Sequence, residues 1–256
     1  MKILCLNTAF KTAQIACEFE AKRVFKEIDA EAKSSENVLP TVEKILSSNN
    51  LTPKNLTHIG VIVGPGSFTG LRIGVAIVKG FVCVFPSLKI ISANSLDFMA
   101  FQYVQENQFN FQKRQLNVQE EQFKKNEGLD NKNSQENQNF QSQEQSQKEQ
   151  SQLSEQKQFY CVLNAFSERY FLAKYNENGE RLGDCLLTGN LPNDSIIIGL
   201  ESENLESANK LIKLKSEYLL NFIKKLINEK EFTSLEKLNP FYLRLSQAEE
   251  NLMKKK

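Results

Sequence analysis

The chain has 256 residues, 40% of them hydrophobic and 25% charged, with 32 basic against 31 acidic side chains and a formal net charge of +1. That balance excludes a whole-chain electrostatic footprint for nucleic acid or membrane, so any RNA role is local or delegated to a partner. The length accommodates one large domain or two small ones, each with its own core.

In chain order, Ile3 to Leu6 is a compact apolar strand, Asn7 to Thr12 is turn-like, and Ala13 to Phe19 is a second strand. A third strand around Arg23 to Ile28 completes a meander. A helix over roughly 36 to 48 follows, capped by Ser34 or Ser35, with Val38, Leu39, Val42, Ile45 and Leu46 at 3.6-residue spacing and Pro40 expected in its first turn. A strand from His58 to Val63, a glycine loop, an apolar helix from about Leu71 to Phe85, a short strand and a helix start at Ser95 then alternate as in an α/β layer.

From 102 to 158 the composition changes to 17 Gln with many Asn, Ser, Glu and Lys, one Gly and no Pro, which reads as a disordered or loosely helical insertion. Strands resume at Phe159 to Leu163, Tyr170 to Tyr175 and Arg181 to Leu187, with an isoleucine-rich strand at Ser195 to Leu200 and an amphipathic helix at Glu217 to Asn228. Each half is thus a meander followed by α/β elements. The expected division is an N-terminal lobe over 1–101, the insertion over 102–158 and a C-terminal lobe over 159–256.

The five cysteines, Cys5, Cys17, Cys83, Cys161 and Cys185, form no CxxC pair and read as buried thiols of a reducing cytosol, not as disulfides or zinc ligands. No signal peptide is read at the N-terminus and no apolar run approaches the ~18 residues of a membrane span, so a cytoplasmic location is expected. The single histidine, His58, has no neighbours forming a nucleophile or metal constellation and reads as structural.

Six of the eleven glycines lie between Gly60 and Gly80, around the stretch VIVGPGSFTGLRIG at 61–74. Its GPGSFTG is not GxGxxG, since the third glycine comes one residue late; no Lys-Ser/Thr follows, and Pro65 removes an N–H that would cradle phosphate. The reading is structural. Gly64 and Gly66 permit a sharp strand-to-helix turn, Ser67 or Thr69 caps the helix, and Gly70 and Gly74 let another backbone approach closely.

GPGSFTGLRIG resembles the signature of the TsaB (YeaZ) family of the bacterial tRNA threonylcarbamoyladenosine pathway. ILCLNTAFKTAQIA, SSENVLPTVEKIL, VLNAFSERYFLAKY and NPFYLRLSQAE are similar, in order, to other family segments. The resemblance implies an actin/Hsp70/sugar-kinase-like (ASKHA) fold of two lobes, each a mixed sheet flanked by helices. It also implies a non-catalytic subunit, without cofactor or metal of its own, that pairs with the paralogue TsaD. TsaD transfers threonylcarbamoyl to N6 of adenosine 37 in tRNAs reading ANN codons, and the TsaE ATPase joins the pair.

By the same resemblance the helix after Ser35 and the helix after the glycine loop pack on TsaD. The expected interface and signature residues are Val38, Leu39, Val42, Ile45, Gly64, Pro65, Gly66, Ser67, Phe68, Thr69, Gly70, Leu71, Arg72, Gly74, Val75 and Val78. Intrachain burial of the same helices is the competing reading, and without TsaD the surface is open to a homodimer. tRNA is engaged indirectly, through the complex. Asn7, Ser34, Asn164 and Phe166 depart from the family's Asp, His, Asp and Arg, and Arg169 falls near its Glu. The alternative function is a free-standing ATPase or small-molecule kinase of the same fold, for which Asp97 and Asp184 are the available carboxylates.

Overall fold

The computed structural model describes residues 1–20, 22–29, 34–127, 158–165, 167–203 and 205–244. The first sheet has the order β3-β2-β1-β4-β5. Strands β1 (Lys2–Asn7), β2 (Ala13–Phe19) and β3 (Lys22–Ile28) form the antiparallel meander, and β4 (His58–Gly64) and β5 (Lys89–Asn94) add parallel to β1. The second sheet repeats this plan as β10-β9-β6-β7-β8. In it β6 (Gln158–Asn164), β7 (Tyr170–Asn176) and β8 (Leu186–Thr188) are the meander, and β9 (Ile196–Leu200) and β10 (Lys210–Ile212) are the parallel additions. The duplication expected from the two meanders is therefore present strand for strand. Strand β10, only three residues long, carried no signal in the sequence pattern.

Helices α1 (Ser34–Ser47) and α2 (Phe68–Val84) cover one face of the first sheet, where Val38, Val42, Ile45, Val75 and Val78 join Leu4, Leu6, Ile15 and Ile59 in one core. Pro40 is the seventh residue of α1, deeper than the first turn expected for it. The other face is covered by α4 (Ser216–Asn228), whose Leu219, Leu220, Phe222 and Ile223 meet Ile3, Cys5, Ala16 and Ile91. Helix α3 (Ser95–Glu127) lies between the lobes. Its Phe98 packs in that core, stacked on Phe222 at 5.8 Å, while Leu96, Met99, Ala100 and Val104 pack under the second sheet.

Two corrections to the expected lobe boundaries follow. Residues beyond 101 still belong to the fold: Gln102 is fully buried, its amide donating to the Lys213 carbonyl at 2.7 Å and accepting from the Lys215 N–H at 3.0 Å. The backbone continues helical to Glu127, and the remainder of the proposed insertion, 128–157, lies outside the described residues. Conversely, α4 comes late in the chain but completes the first lobe, because the outer face of β1, β2 and β4 is apolar and has to be covered. Among the described residues no helix is long and apolar enough to cross a membrane.

The buried carboxylate of Glu18 ties α4 to the sheet: Lys224 donates to it at 2.6 Å and Arg23 at 2.8 Å. Burial alone would raise its pKa, but the two cationic hydrogen bonds outweigh burial and hold it below its ordinary 4.5. A carboxylate lowered in the folded state stabilises fully above its unfolded pKa and loses that contribution as pH falls through the folded value. Glu18→Gln is expected to cost about 2 kcal/mol at neutral pH and to flatten the acid limb of stability below about pH 4.5. Urea denaturation of both proteins between pH 3 and 7 measures this; parallel curves would refute it.

Candidate functional site

The glycine loop is a junction between three chain segments. Strand β4 delivers it, the β1–β2 turn lies against it, and the segment after residue 238 crosses it. The Ser67 N–H donates to the Ala9 carbonyl at 2.8 Å, and the Thr8 hydroxyl donates to the Gly70 carbonyl at 2.7 Å. Ser67 caps α2, its hydroxyl accepting from the Gly70 N–H at 3.3 Å. On the other side the Phe241 N–H donates to the Val63 carbonyl at 2.7 Å.

The glycines make these contacts sterically available. A Cβ on Gly70 would lie 1.9 Å from the Thr8 carbonyl oxygen, and one on Gly66 would lie 2.5 Å from that of Ala9. Gly64, at φ +126°, sits in a region L side chains avoid, and its Cβ would meet the Phe241 carbonyl oxygen at 2.7 Å. A Cβ on Gly74 would lie 2.5 Å from the Thr8 hydroxyl. The close approach expected at Gly70 and Gly74 is therefore made by Thr8. The β1–β2 turn is closed onto the loop.

Asn7, fully buried, supports the same turn. Its amide donates to the Gln14 side chain at 2.9 Å, and its carbonyl accepts from the Ala9 N–H at 3.1 Å. A side chain engaged on both sides in this way serves the turn geometry.

Of the expected interface residues, Val38, Val42, Ile45, Leu71, Gly74, Val75 and Val78 are buried within the chain. Val38, Val42, Ile45, Val75 and Val78 pack in the core of the first lobe. Gly64 and Pro65 are buried in the junction, Gly66, Phe68 and Gly70 are half-buried, and Leu39, Ser67, Thr69 and Arg72 are exposed. Helix α2 also has an outward face that periodicity did not resolve. Thr69, Arg72, Ala76, Gly80, Cys83 and Val84 are exposed along one side, opposite Leu71, Val75, Val78 and Val82. A Cβ on Gly80 would meet nothing within 4 Å, and Val84 is 68% exposed. This face is narrow, small and weakly polar, and α1 adds Leu39 at 42% exposure.

The other sequence candidates lie elsewhere. His58 starts β4 half-buried with Nδ1 2.9 Å from the Thr57 hydroxyl, and burial, Lys89 and the N-terminus lower its pKa. Asp97 lines a cleft of about 380 Å³ beside β5, but its carboxylate accepts from the Tyr175 hydroxyl at 2.8 Å and pairs with Arg181 at 3.5 Å. Burial raises its pKa against both partners. Asp184 is exposed. The backbone N–H of Asn164 donates to Glu203 at 2.7 Å, and burial pushes that carboxyl up to about 7. The Ser34 side chain and Phe166 lie outside the described residues, and the Arg169 carbonyl accepts from the Ala165 N–H at 2.8 Å.

Two sheets of identical strand order, flanked by helices and joined through a shared helix, define a two-lobed protein of the ASKHA type. A family model described as TsaD, tRNA N6-adenosine threonylcarbamoyltransferase, matches residues 26–112. The tRNA threonylcarbamoyladenosine biosynthesis protein TsaB of Bacillus subtilis is 32% identical over 106 residues, covering 38% of this chain and 46% of its own length. Its namesake in Escherichia coli is 28% identical over 100 residues, covering 39% and 43%. An uncharacterized protein of Mycoplasma genitalium is 35% identical over 98 residues, covering 37% and 50%. The chain thus spans half or less of the length of these relatives. Among solved structures, YeaZ from Pseudomonas aeruginosa superposes with a TM-score of 0.62 at 16% identity, across 94% of this chain and 99% of that one. The chain is thus similar to TsaB (YeaZ) proteins, in sequence over less than half of its length and in fold over nearly all of it.

The junction makes opposite demands on two glycines of one helix. Gly70→Ala drives a Cβ into backbone and is expected to cost about 3 kcal/mol. Gly80→Ala, in open space within the helix, is expected to gain about 0.5–1 kcal/mol. Denaturation midpoints of the two variants test this, and equal shifts of the same sign would contradict the packing described.

Proposed function

We propose that this protein takes part in tRNA threonylcarbamoyladenosine synthesis as a non-catalytic subunit that heterodimerises with TsaD, in a complex joined by TsaE. The observation that carries the reading is the outward face of α2. Its buried side already completes the core, yet the opposite side presents Ala76, Gly80 and Val84 where a solvated helix would carry charge. Small residues along a helix let a second helix approach closely, and Leu39 of α1 widens the apolar area. The family relationship supplies the occupant. Asn7 and the closed β1–β2 turn favour assembly over the kinase alternative, since the side chain and the loop are both engaged in holding the junction.

The chemistry on tRNA belongs, in this reading, to TsaD, with tRNA bound through the complex. Charged substitutions on the outward face, Ala76→Arg and Val84→Asp, are expected to weaken TsaD capture at least tenfold while leaving the fold intact, because both positions are exposed. Substitutions at Val42 or Val75 would instead disrupt the core. Depletion of the protein is expected to lower N6-threonylcarbamoyladenosine in total tRNA. Mass spectrometry of digested tRNA showing an unchanged level would sink the pathway assignment, and full TsaD capture by both variants would sink the interface.

A further inference from the structure

The segment from Leu235 to Arg244 runs from one lobe to the other. Leu238, fully buried, and Leu235 pack in the core between the first sheet and helices α1 and α2. Leu243 packs against the core of the second lobe, and Arg244 donates to the Ala165 carbonyl at the end of β6. Between these anchors the segment crosses the glycine loop and the first turns of α2. Phe241 pairs with Val63, Tyr242 stacks on Phe68 with ring centroids 4.4 Å apart and planes 8° from parallel, and the Arg72 Nε donates to the Tyr242 hydroxyl at 3.0 Å. Lys79 reaches Asn239 at 3.2 Å, one helical turn or more further along.

We propose that this segment is a clasp that makes the order of the α2 docking helix depend on the position of the second lobe. The contacts divide into two kinds. Leu243 packs on the second-lobe core and Arg244 donates to Ala165, whereas Phe241 and Tyr242 touch the glycine loop and α2. The four residues are consecutive in the chain, so a displacement of Ala165 and its neighbours is carried by covalent geometry to Val63, Phe68 and Arg72. Arg72 belongs to the outward face of α2, and its guanidinium lies 6.0 Å and 5.9 Å from the Phe68 and Tyr242 ring centroids. The clasp thereby fixes the orientation of a charged side chain at the edge of that face.

The test compares two leucines in the second-lobe core. Leu243→Ala loosens the clasp at its far end; Leu187→Ala removes a similar side chain from the same core without touching the clasp. Amide hydrogen exchange in the whole protein is expected to accelerate about tenfold at Ser67, Gly70 and Leu71 in Leu243→Ala and to stay unchanged there in Leu187→Ala. Tyr242→Ala, at a position 39% exposed and tolerant of truncation, is expected to reproduce the acceleration. Unchanged exchange in both clasp variants, or equal acceleration in Leu187→Ala, overturns the proposal. A second arm rests on the docking reading above: TsaD affinity is expected to fall about tenfold in both clasp variants and not in Leu187→Ala. Unchanged affinity in the clasp variants overturns the coupling to docking. Failure of the wild-type protein to bind TsaD removes the docking reading alone, and the exchange arm still decides the clasp.

Discussion

The contact on which the rest depends is that of backbone against backbone between Thr8 and Gly70. A β1–β2 turn and a helix N-terminus can approach this closely only where no Cβ intervenes, since a Cβ on Gly70 would lie 1.9 Å from the Thr8 carbonyl oxygen. From that approach come the Thr8 bond to the Gly70 carbonyl, the Ser67 bond to Ala9, and the seating of Gly74 over the Thr8 hydroxyl. Polypeptide packed this closely holds the helix at a fixed angle to the first sheet.

Much of this was legible before the structure. The meanders appear as period-two apolar runs, and their recurrence on either side of a glutamine-rich stretch announces a duplicated architecture. The glycine spacing departs from GxGxxG, and the close approach at Gly70 follows from the same residues. What stayed hidden has a physical cause in each case. Strand β10 is too short to show a period. Valines and glycines fall on both sides of α2, so sequence alone cannot say that Val75 is core and Val84 is surface. Helix α3 passes into glutamine-rich sequence without a break because Gln and Glu are good helix formers, and Gln102 earns its burial through two long-range hydrogen bonds.

The second lobe repeats the strand order of the first but not its helices. Among the described residues the chain crosses from β8 to β9 without one, and between β9 and β10 stands a single turn at Glu201–Glu203. The first lobe, by contrast, has helices on both faces, one of them supplied from the far end of the chain. The asymmetry concentrates packing where the proposed docking helix must be held and leaves the second lobe lighter. The segment after Leu235 and α3 both pack against the cores of the two lobes.

The position of α4 bears on how the chain acquires its fold. Ile3, Cys5, Ala16 and Ile91 need a helix that is translated more than a hundred residues after β5. During synthesis the first sheet leaves the ribosome with one face uncovered, and the glutamine-rich stretch passes before the missing helix arrives. The order of manufacture and the order of packing are therefore mismatched. That face is the one which a chaperone, or an early-folding α3, would have to shelter until residue 228 is available.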